Sequence, residues 1–319
     1  MDALAARDAS RGALAGKQVQ EVAGKVGGGN VAAWLSAVRL RHWSKNLLVF
    51  LPILLSHQVL MSPQLEQSLW AFLAFSLCAS SAYIINDLSD RHTDLQHPAR
   101  RSRPFASGRL GPGSGALASF LLLAAALGVA LQLGHRFELV LVGYYFVTWA
   151  YSRWLRSVAI IDVLILAGLY SARIVAGSAA TDIALSYWFL ALATFMFLSL
   201  AVVKRYAEIR EAIHAGVIGG YGRGYDAADL PFLSTLGIAA GYCSVLVLAL
   251  YINSADATAL YRNRGLLWLI CPLLWFWIVR VWRMAMRGEM PEDPVVFATA
   301  DTTSYVVLAV ITAIAMLSI

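Results

Sequence analysis

Four side chains able to hold a hard cation follow one another in "NDLSDRHTD": Asn86, Asp87, Asp90 and Asp94. If the apolar run before them continues as helix, Asn86, Asp90 and Asp94 stand at i, i+4 and i+8. Asp87 falls one step round, and all four project within an arc of about 100°. Carboxylates stacked this way repel one another unless a cation lies among them. An oxygen-only set suits Mg²⁺, which keeps several waters and bridges one or two carboxylates to substrate phosphates. The plainer alternative is a solvated acidic helix end, salt-bridged to the arginines of the next loop. Acidic residues at a helix C-terminus oppose its macrodipole, which weakens that structural motive.

The cations follow at once, as Arg100, Arg101 and Arg103, then "PFASG" and Arg109. Loops on the cytoplasmic side of a membrane protein collect arginines anyway. Beside a carboxylate-held metal, however, arginine offers forked donors to phosphate oxygens. Metal and arginines together describe a clamp for a magnesium diphosphate.

Three other stretches carry charge inside apolar surroundings. "RLRHWSKNLLVF" places Arg39, Lys45 and Asn46 at the mouth of the first apolar run. "IIDVLILAGLYSARIVAGS" holds Asp162 and Arg173 eleven residues apart. That is close to three helical turns, so both face one side, about 16 Å apart along the axis. Ionisable groups at membrane depth are costly and face a cavity or pair with other helices. "VVKRYAEIREA" interleaves Lys204 and Arg205 with Glu208, and an i, i+4 ion pair of Lys204 with Glu208 is its plainest reading. Tyr170, Tyr206 and Tyr225 could add hydroxyls to a polar cavity or anchor the chain at the interface. His42, His92 and His97 share no metal-ligand spacing, and the Trp268–Trp282 run reads as lipid packing.

The elements that must position these residues follow from composition. The 319-residue chain is 59% hydrophobic, 14% charged, with mean hydropathy +0.65. A soluble fold could not hide so much apolar surface, so an all-α, multi-pass membrane bundle is expected. Runs approaching the ~20 residues of a bilayer crossing fall near 47–62, 68–87, 115–133, 138–152, 158–179, 184–203, 232–253, 264–282 and 303–319. Nine spans is the economical count. Of the 25 Lys and Arg, 21 lie on the side of the N-terminus and the polar loops, which assigns that side to the cytoplasm. The net charge of +6 then needs no nucleic-acid partner. Residues 1–32 lack an apolar core and read as a mobile cytoplasmic tail before a domain over 33–319. Cys78, Cys243 and Cys271 lie in apolar runs and suggest no disulfide framework.

"NDLSDRHTD" matches the NDxxDxxxD motif of the UbiA superfamily of intramembrane transferases, and "RPFASG" resembles the segment that follows it there. The resemblance covers about 33–319. It implies a helical bundle with a polar cavity open to the cytoplasm, a Mg²⁺ ion held by Asn86, Asp87, Asp90 and Asp94, and a lipid-facing route for a polyprenyl chain. Typical members carry a second Asp-rich motif near the end of the sixth span. Here "KRYAEIRE" stands in its place, which exchanges acid for base. Together with "RLRHWSKNLLVF", "IIDVLILAGLYSARIVAGS" and, before the last span, "GEMPEDPVVFATAD", it resembles the decaprenyl-phosphate phosphoribosyltransferase branch.

That resemblance implies transfer of 5-phosphoribose from 5-phosphoribosyl 1-diphosphate to a polyprenyl phosphate at the inner-membrane face. Asp87 and Asp90 would serve catalysis. Lys45, Asn46, Arg100, Arg101, Arg103, Asp162, Arg173, Lys204, Arg205, Tyr206 and Glu208 would line the substrates. A prenyltransferase moving an isoprenoid onto a small acceptor is the alternative. A transporter using the carboxylates as ion sites is the third reading, although no internal repeat supports it. Oligomeric state and polyprenol length stay open.

Overall fold

The computed structural model describes residues 30–56, 62–96, 100–214, 216, 224–291, 293–298 and 300–319. The expected tail therefore lies largely outside the described residues, as does His97. Every regular element among them is helical. A first helix, α1, covers 30–38 and is followed by a 3₁₀ segment, Leu40–Phe50. Then come α2 (Leu51–Leu55), α3 (Ser62–Ser89), α4 (Arg91–Gln96), α5 (Pro112–Leu133), α6 (His135–Arg153), α7 (Ile161–Thr181) and α8 (Tyr187–His214). The remainder is α9 (Leu230–Ile252), α10 (Ala255–Leu260), α11 (Arg264–Leu267), α12 (Ile270–Arg287), α13 (Pro294–Ala298) and α14 (Thr302–Ser318).

Six of these stretches are long and apolar enough to cross a membrane: Pro63–Ser89, Pro112–Leu133, Ile161–Thr181, Tyr187–His214, Ala227–Ile252 and Arg264–Arg287. The chain is a multi-pass membrane protein. Three of the nine expected runs fall short of that standard, each for a local reason. Residues 47–62 do not form one helix, because the 3₁₀ segment gives way at Phe50 to a five-residue helix with proline in its first turn. The helix α6 carries His135, Arg136, Glu138 and Arg153 at its ends. The last helix, α14, has 17 residues.

The chain divides into two compact units, one of Met1–Leu40 with Ala79–Ala124, the other of Arg41–Cys78 with Ala125–Ile319. In the first, Ala33, Ala37, Ile84, Phe105 and Leu110 form a buried core with Trp34 and Leu88. In the second, the core is built from α7, α8, α9 and α12, around Ile174, Phe197, Val202, Leu233, Ile278 and Trp282. Close approach there depends on missing atoms. A Cβ at Gly237 of α9 would stand 2.0 Å from the Trp282 ring. A Cβ at Gly177 of α7 would stand 2.0 Å from the Val49 carbonyl oxygen, so glycine lets the 3₁₀ segment lie directly on α7. That contact brings Lys45 and Asn46 to Arg173.

Candidate active site

The acidic track is preserved across a break in the helix. The segment turns at Asp90 between α3 and α4, yet the Asp90 N–H donates to Asn86 O at 2.9 Å and the Asp94 N–H to Asp90 O at 2.8 Å. Asn86 Nδ2 donates to Asp90 Oδ2 at 3.3 Å. Asp87 and Asp94 are both buried. A single nitrogen, Arg103 Nη1, donates to Asp87 Oδ1 at 3.1 Å and to Asp94 Oδ2 at 2.8 Å. Arg39 Nη2 reaches the same Asp87 oxygen at 2.6 Å.

Both arginines are placed by their backbone. Arg39 sits at φ 56, a region that ordinary residues rarely adopt. Its guanidinium lies 4.8 Å from the Tyr83 ring centroid as well as on Asp87, so the conformation is held from the side-chain end. The loop of Arg103 is closed by Ser107 N–H donating to Arg103 O at 2.8 Å and Leu110 N–H to Pro104 O at 3.1 Å. Phe105 anchors it, buried edge-on against Trp34 with ring centroids 6.4 Å apart. Arg101 points outward, and Arg100 is half-buried.

Among the described residues, no three His, Cys, Asp or Glu side chains converge as a self-sufficient metal cage. Magnesium does not require one, since one or two carboxylates suffice when substrate phosphates supply other ligands. Asp87 and Asp94 already aim at one shared cation, the Arg103 nitrogen, and offer oxygen ligands only. This donor set fits a hard divalent ion.

The second unit carries a cationic cluster. Arg173, 4% exposed within α7, donates from Nε to Asn46 Oδ1 at 2.9 Å, from Nη2 to Tyr144 Oη at 2.8 Å, and from Nη1 to Leu169 O. Asn46 is fixed in turn by donating to Ser76 Oγ at 3.0 Å. The Tyr170 ring carries Lys45 Nζ at 5.7 Å and the Arg173 guanidinium at 5.5 Å from its centroid. Lys45 is paired with Asp293, and Lys204 Nζ lies 3.8 Å from the same Asp293 oxygen. Burial pushes the Asp293 carboxyl up, but Lys45 and Lys204 outweigh it and hold it at about 2, below its ordinary 3.8.

A third network surrounds Arg205, buried on α8. Its Nε and Nη2 donate to Asp162 Oδ2 and Oδ1 at 2.7 and 2.9 Å, and its Nη1 donates to Glu208. Tyr151 Oη adds a hydrogen bond to Asp162 Oδ1 at 2.7 Å. Asp162 starts α7 after Ile160, whose φ is 69, a costly value for a β-branched residue. Tyr225 Oη accepts the Ile160 N–H at 2.7 Å and helps to hold it. Burial raises the Tyr225 phenol above its ordinary value.

The sequence reading expected Lys204 to pair with Glu208. Instead Lys204 approaches Asp293, and Glu208 accepts from Arg205. Asp162 and Arg173 take separate partners at different levels of α7. Tyr206 packs edge-on against Trp282, ring centroids 5.8 Å apart, in the apolar core. Tyr144, Ser76 and Asp293 carried no role in that reading. Asp293 reaches Lys45 across 248 positions, a separation that helical periodicity cannot signal. Cys78, Cys243 and Cys271 are free thiols, as expected.

Residues 47–300 match the sequence profile of the UbiA prenyltransferase family. The chain belongs to this family. A Sinorhizobium fredii relative, uncharacterized protein y4nM, is 37% identical over 283 residues, covering 88% of this chain but 55% of the relative. The chain thus spans about half the length of that protein. The nodulation protein NoeC of Azorhizobium caulinodans is 32% identical over 274 residues, 86% of this chain and 89% of NoeC. A Mycobacterium tuberculosis decaprenyl-phosphate phosphoribosyltransferase is 34% identical over 215 residues, 66% of this chain and 71% of the enzyme. The structure of an Archaeoglobus fulgidus UbiA homolog bound to GPP and Mg²⁺ superposes with TM-score 0.66 at 16% identity, over 90% of this chain and 99% of that one. At that identity the likeness speaks for the fold. By family and architecture this chain is a UbiA-family membrane protein, helical throughout its described regular elements.

Proposed function

We propose that this UbiA-family protein transfers a 5-phosphoribosyl group from 5-phosphoribosyl 1-diphosphate to a polyprenyl phosphate, with magnesium, releasing pyrophosphate. The observation that carries this reading is Arg173. It is a buried cation whose partners among the described residues are an amide, a phenol, a carbonyl and aromatic faces, with no carboxylate. A cation kept at membrane depth without a fixed counter-charge is a natural receiver for an anionic ligand. Lys45, which also lies over the Tyr170 ring, and Lys204, which shares Asp293 with Lys45, extend the same cationic surface. A prenyl diphosphate has one anionic end. Phosphoribosyl diphosphate has two, which suits a chain that places base where the superfamily pattern places a second acid cluster. The name of the mycobacterial relative, decaprenyl-phosphate phosphoribosyltransferase, supports the same transferred group and acceptor class.

Asn86, Asp87, Asp90 and Asp94 would hold the magnesium. When bound, the ion draws off charge developing on the leaving diphosphate. Arg100, Arg101 and Arg103 would contact diphosphate oxygens through forked, charge-assisted hydrogen bonds. Lys45, Lys204 and Arg173 would neutralise the sugar's 5-phosphate, with Asn46 and Tyr144 orienting Arg173. Arg205 is committed to Asp162 and Glu208, and its role is to fix the turn of α8 that presents Lys204. In the transfer, the bond from C1 to the diphosphate oxygen breaks with its electron pair leaving on pyrophosphate. An acceptor phosphate oxygen forms the new bond to C1. A phosphate anion is nucleophilic as it stands, so no strong general base is needed. The distribution of Lys and Arg supports a reaction at the cytoplasmic face of the inner membrane.

A prenyl-transfer reading is favoured by the fold shared with a homolog solved with GPP. Purified protein in detergent, with magnesium and either radiolabelled phosphoribosyl diphosphate or geranylgeranyl diphosphate, separates the two. A polyprenyl-phosphate product labelled from the sugar donor is expected. Consumption of the prenyl donor alone would replace the leading reading with the second.

A further inference from the structure

Asp293 is the described carboxylate that meets both Lys45 and Lys204, and its two oxygens do different work. Oδ1 accepts the N–H groups of Val295 and Val296 at 3.1 and 3.2 Å, fixing the carboxylate at the start of α13. The Phe297 N–H adds a bond to the Asp293 carbonyl at 2.8 Å. Downstream, Asp301 is pinned by both Arg280 nitrogens at 2.7 and 3.0 Å and caps α14 through Ser304. The carboxylate is thus tied to backbone that cannot easily withdraw. Oδ2 is left for the lysines, accepting from Lys45 and lying 3.8 Å from Lys204. Lysine, by contrast, is a point charge on a flexible stem and can change partner with small motions.

We infer that Asp293 is a positioning residue, a resident carboxylate that holds Lys45 and Lys204 together at the point where a phosphate oxygen is bound, and that the lysines are traded from it to the ligand. The inference rests on the phosphate-binding role proposed above for those lysines. Two cations a few ångströms apart in a low-dielectric setting repel, and Asp293 removes that repulsion while no ligand is present. The same negative charge opposes an arriving phosphate. Asp293 therefore sets lysine placement at the expense of phosphate affinity, which also keeps the phosphoribosyl product from being retained after transfer.

The probe is ribose 5-phosphate, which carries the phosphate assigned to these lysines, titrated calorimetrically into the full chain in detergent. Asp293→Asn keeps an oxygen for the α13 backbone and removes the charge, and Asp293→Ser does the same with a shorter side chain. Both variants are expected to bind ribose 5-phosphate more tightly than wild type, by about tenfold for one lost charge contact. Lys45→Ala and Lys204→Ala are expected to weaken binding by a similar factor. A merely structural lesion at Asp293 would weaken binding, so tightening is a diagnostic sign. If the lysine variants lose affinity but both Asp293 variants bind no more tightly, the role of Asp293 is overturned while the phosphate site stands. If the lysine variants bind as wild type does, both fall.

Discussion

Asp162 and Arg205 meet fork to fork inside the helical bundle, with Nε on Oδ2 at 2.7 Å, Nη2 on Oδ1 at 2.9 Å, and side chains 0% and 1% exposed. One residue begins α7 and the other lies late in α8, so the pair ties two long helices together. Removing one partner of such a pair strands the other charge and typically costs about 3–5 kcal/mol. Arg205→Ala is accordingly expected to lower the melting temperature in detergent severely. Arg205→Lys rescues little, because an ammonium cannot reproduce the planar fork. A variant that melts like wild type but binds donor poorly would instead make Arg205 a direct ligand.

Asp90→Asn should abolish turnover, by at least about a hundredfold for a lost metal-site carboxylate, with folding and membrane insertion intact. Initial rates across a magnesium titration test this. Activity near wild type at limiting magnesium would remove the acidic track from the mechanism.

Arg103 shares its Nη1 between Asp87 and Asp94, the oxygens that a divalent ion would use. Without donor, guanidinium and metal compete. Arg103→Gln should therefore bind Mn²⁺ several-fold more tightly in an electron paramagnetic resonance titration, although it turns over more slowly because a diphosphate contact is gone. Unchanged Mn²⁺ affinity would show that the metal does not use these oxygens.

Asp293 gives a pH dependence with a defined sign. Its carboxyl is held at about 2 against an ordinary 3.8, with the lysines outweighing burial. A depressed carboxyl contributes its full stability above the ordinary value and loses it as pH falls through the lowered one. The melting-temperature gap between wild type and Asp293→Asn should be flat from about pH 7 to about pH 5 and close between about pH 4 and pH 2. A gap that changes near neutrality would contradict the Lys45–Asp293–Lys204 arrangement.

Sidedness is testable with an impermeant thiol reagent in a background lacking the native cysteines. Ser107 and Ala255 are both exposed, in the loop after Arg103 and at the start of α10. With α6 crossing as a further span between them, Ser107→Cys is expected to label only from the cytoplasm, and Ala255→Cys only from outside. Reversed labelling would overturn the orientation and, with it, access of a cytosolic sugar phosphate.

The acidic track was legible because its residues repeat at helical spacing, and hydrogen bonding keeps that spacing even where the helix turns at Asp90. Arg173 was legible because a charge in an apolar run is costly enough to need a reason. What Arg205 does was not legible. Its neighbours in the chain offer an ordinary i, i+4 pairing for Lys204, and only packing of α7 on α8 brings Asp162 to the guanidinium. Asp293 was invisible for the same reason, since it shares "PEDP" with Glu292 and its lysine partners lie in distant segments. The first apolar run misled because hydropathy cannot distinguish a long helix from a 3₁₀ segment handing over to a short one at Pro52.

The approach of the 3₁₀ segment to α7 has a bearing on how other chains of this family can be read. Nothing larger than hydrogen fits at position 177 while the Val49 carbonyl rests there, and Lys45 is only four residues before that carbonyl. A single absent methyl group therefore marks, in plain letters, whether a relative can bring its first lysine to its buried arginine. A chain with alanine or valine at the equivalent place must seat its entrance segment farther out, and its arginine must find another companion.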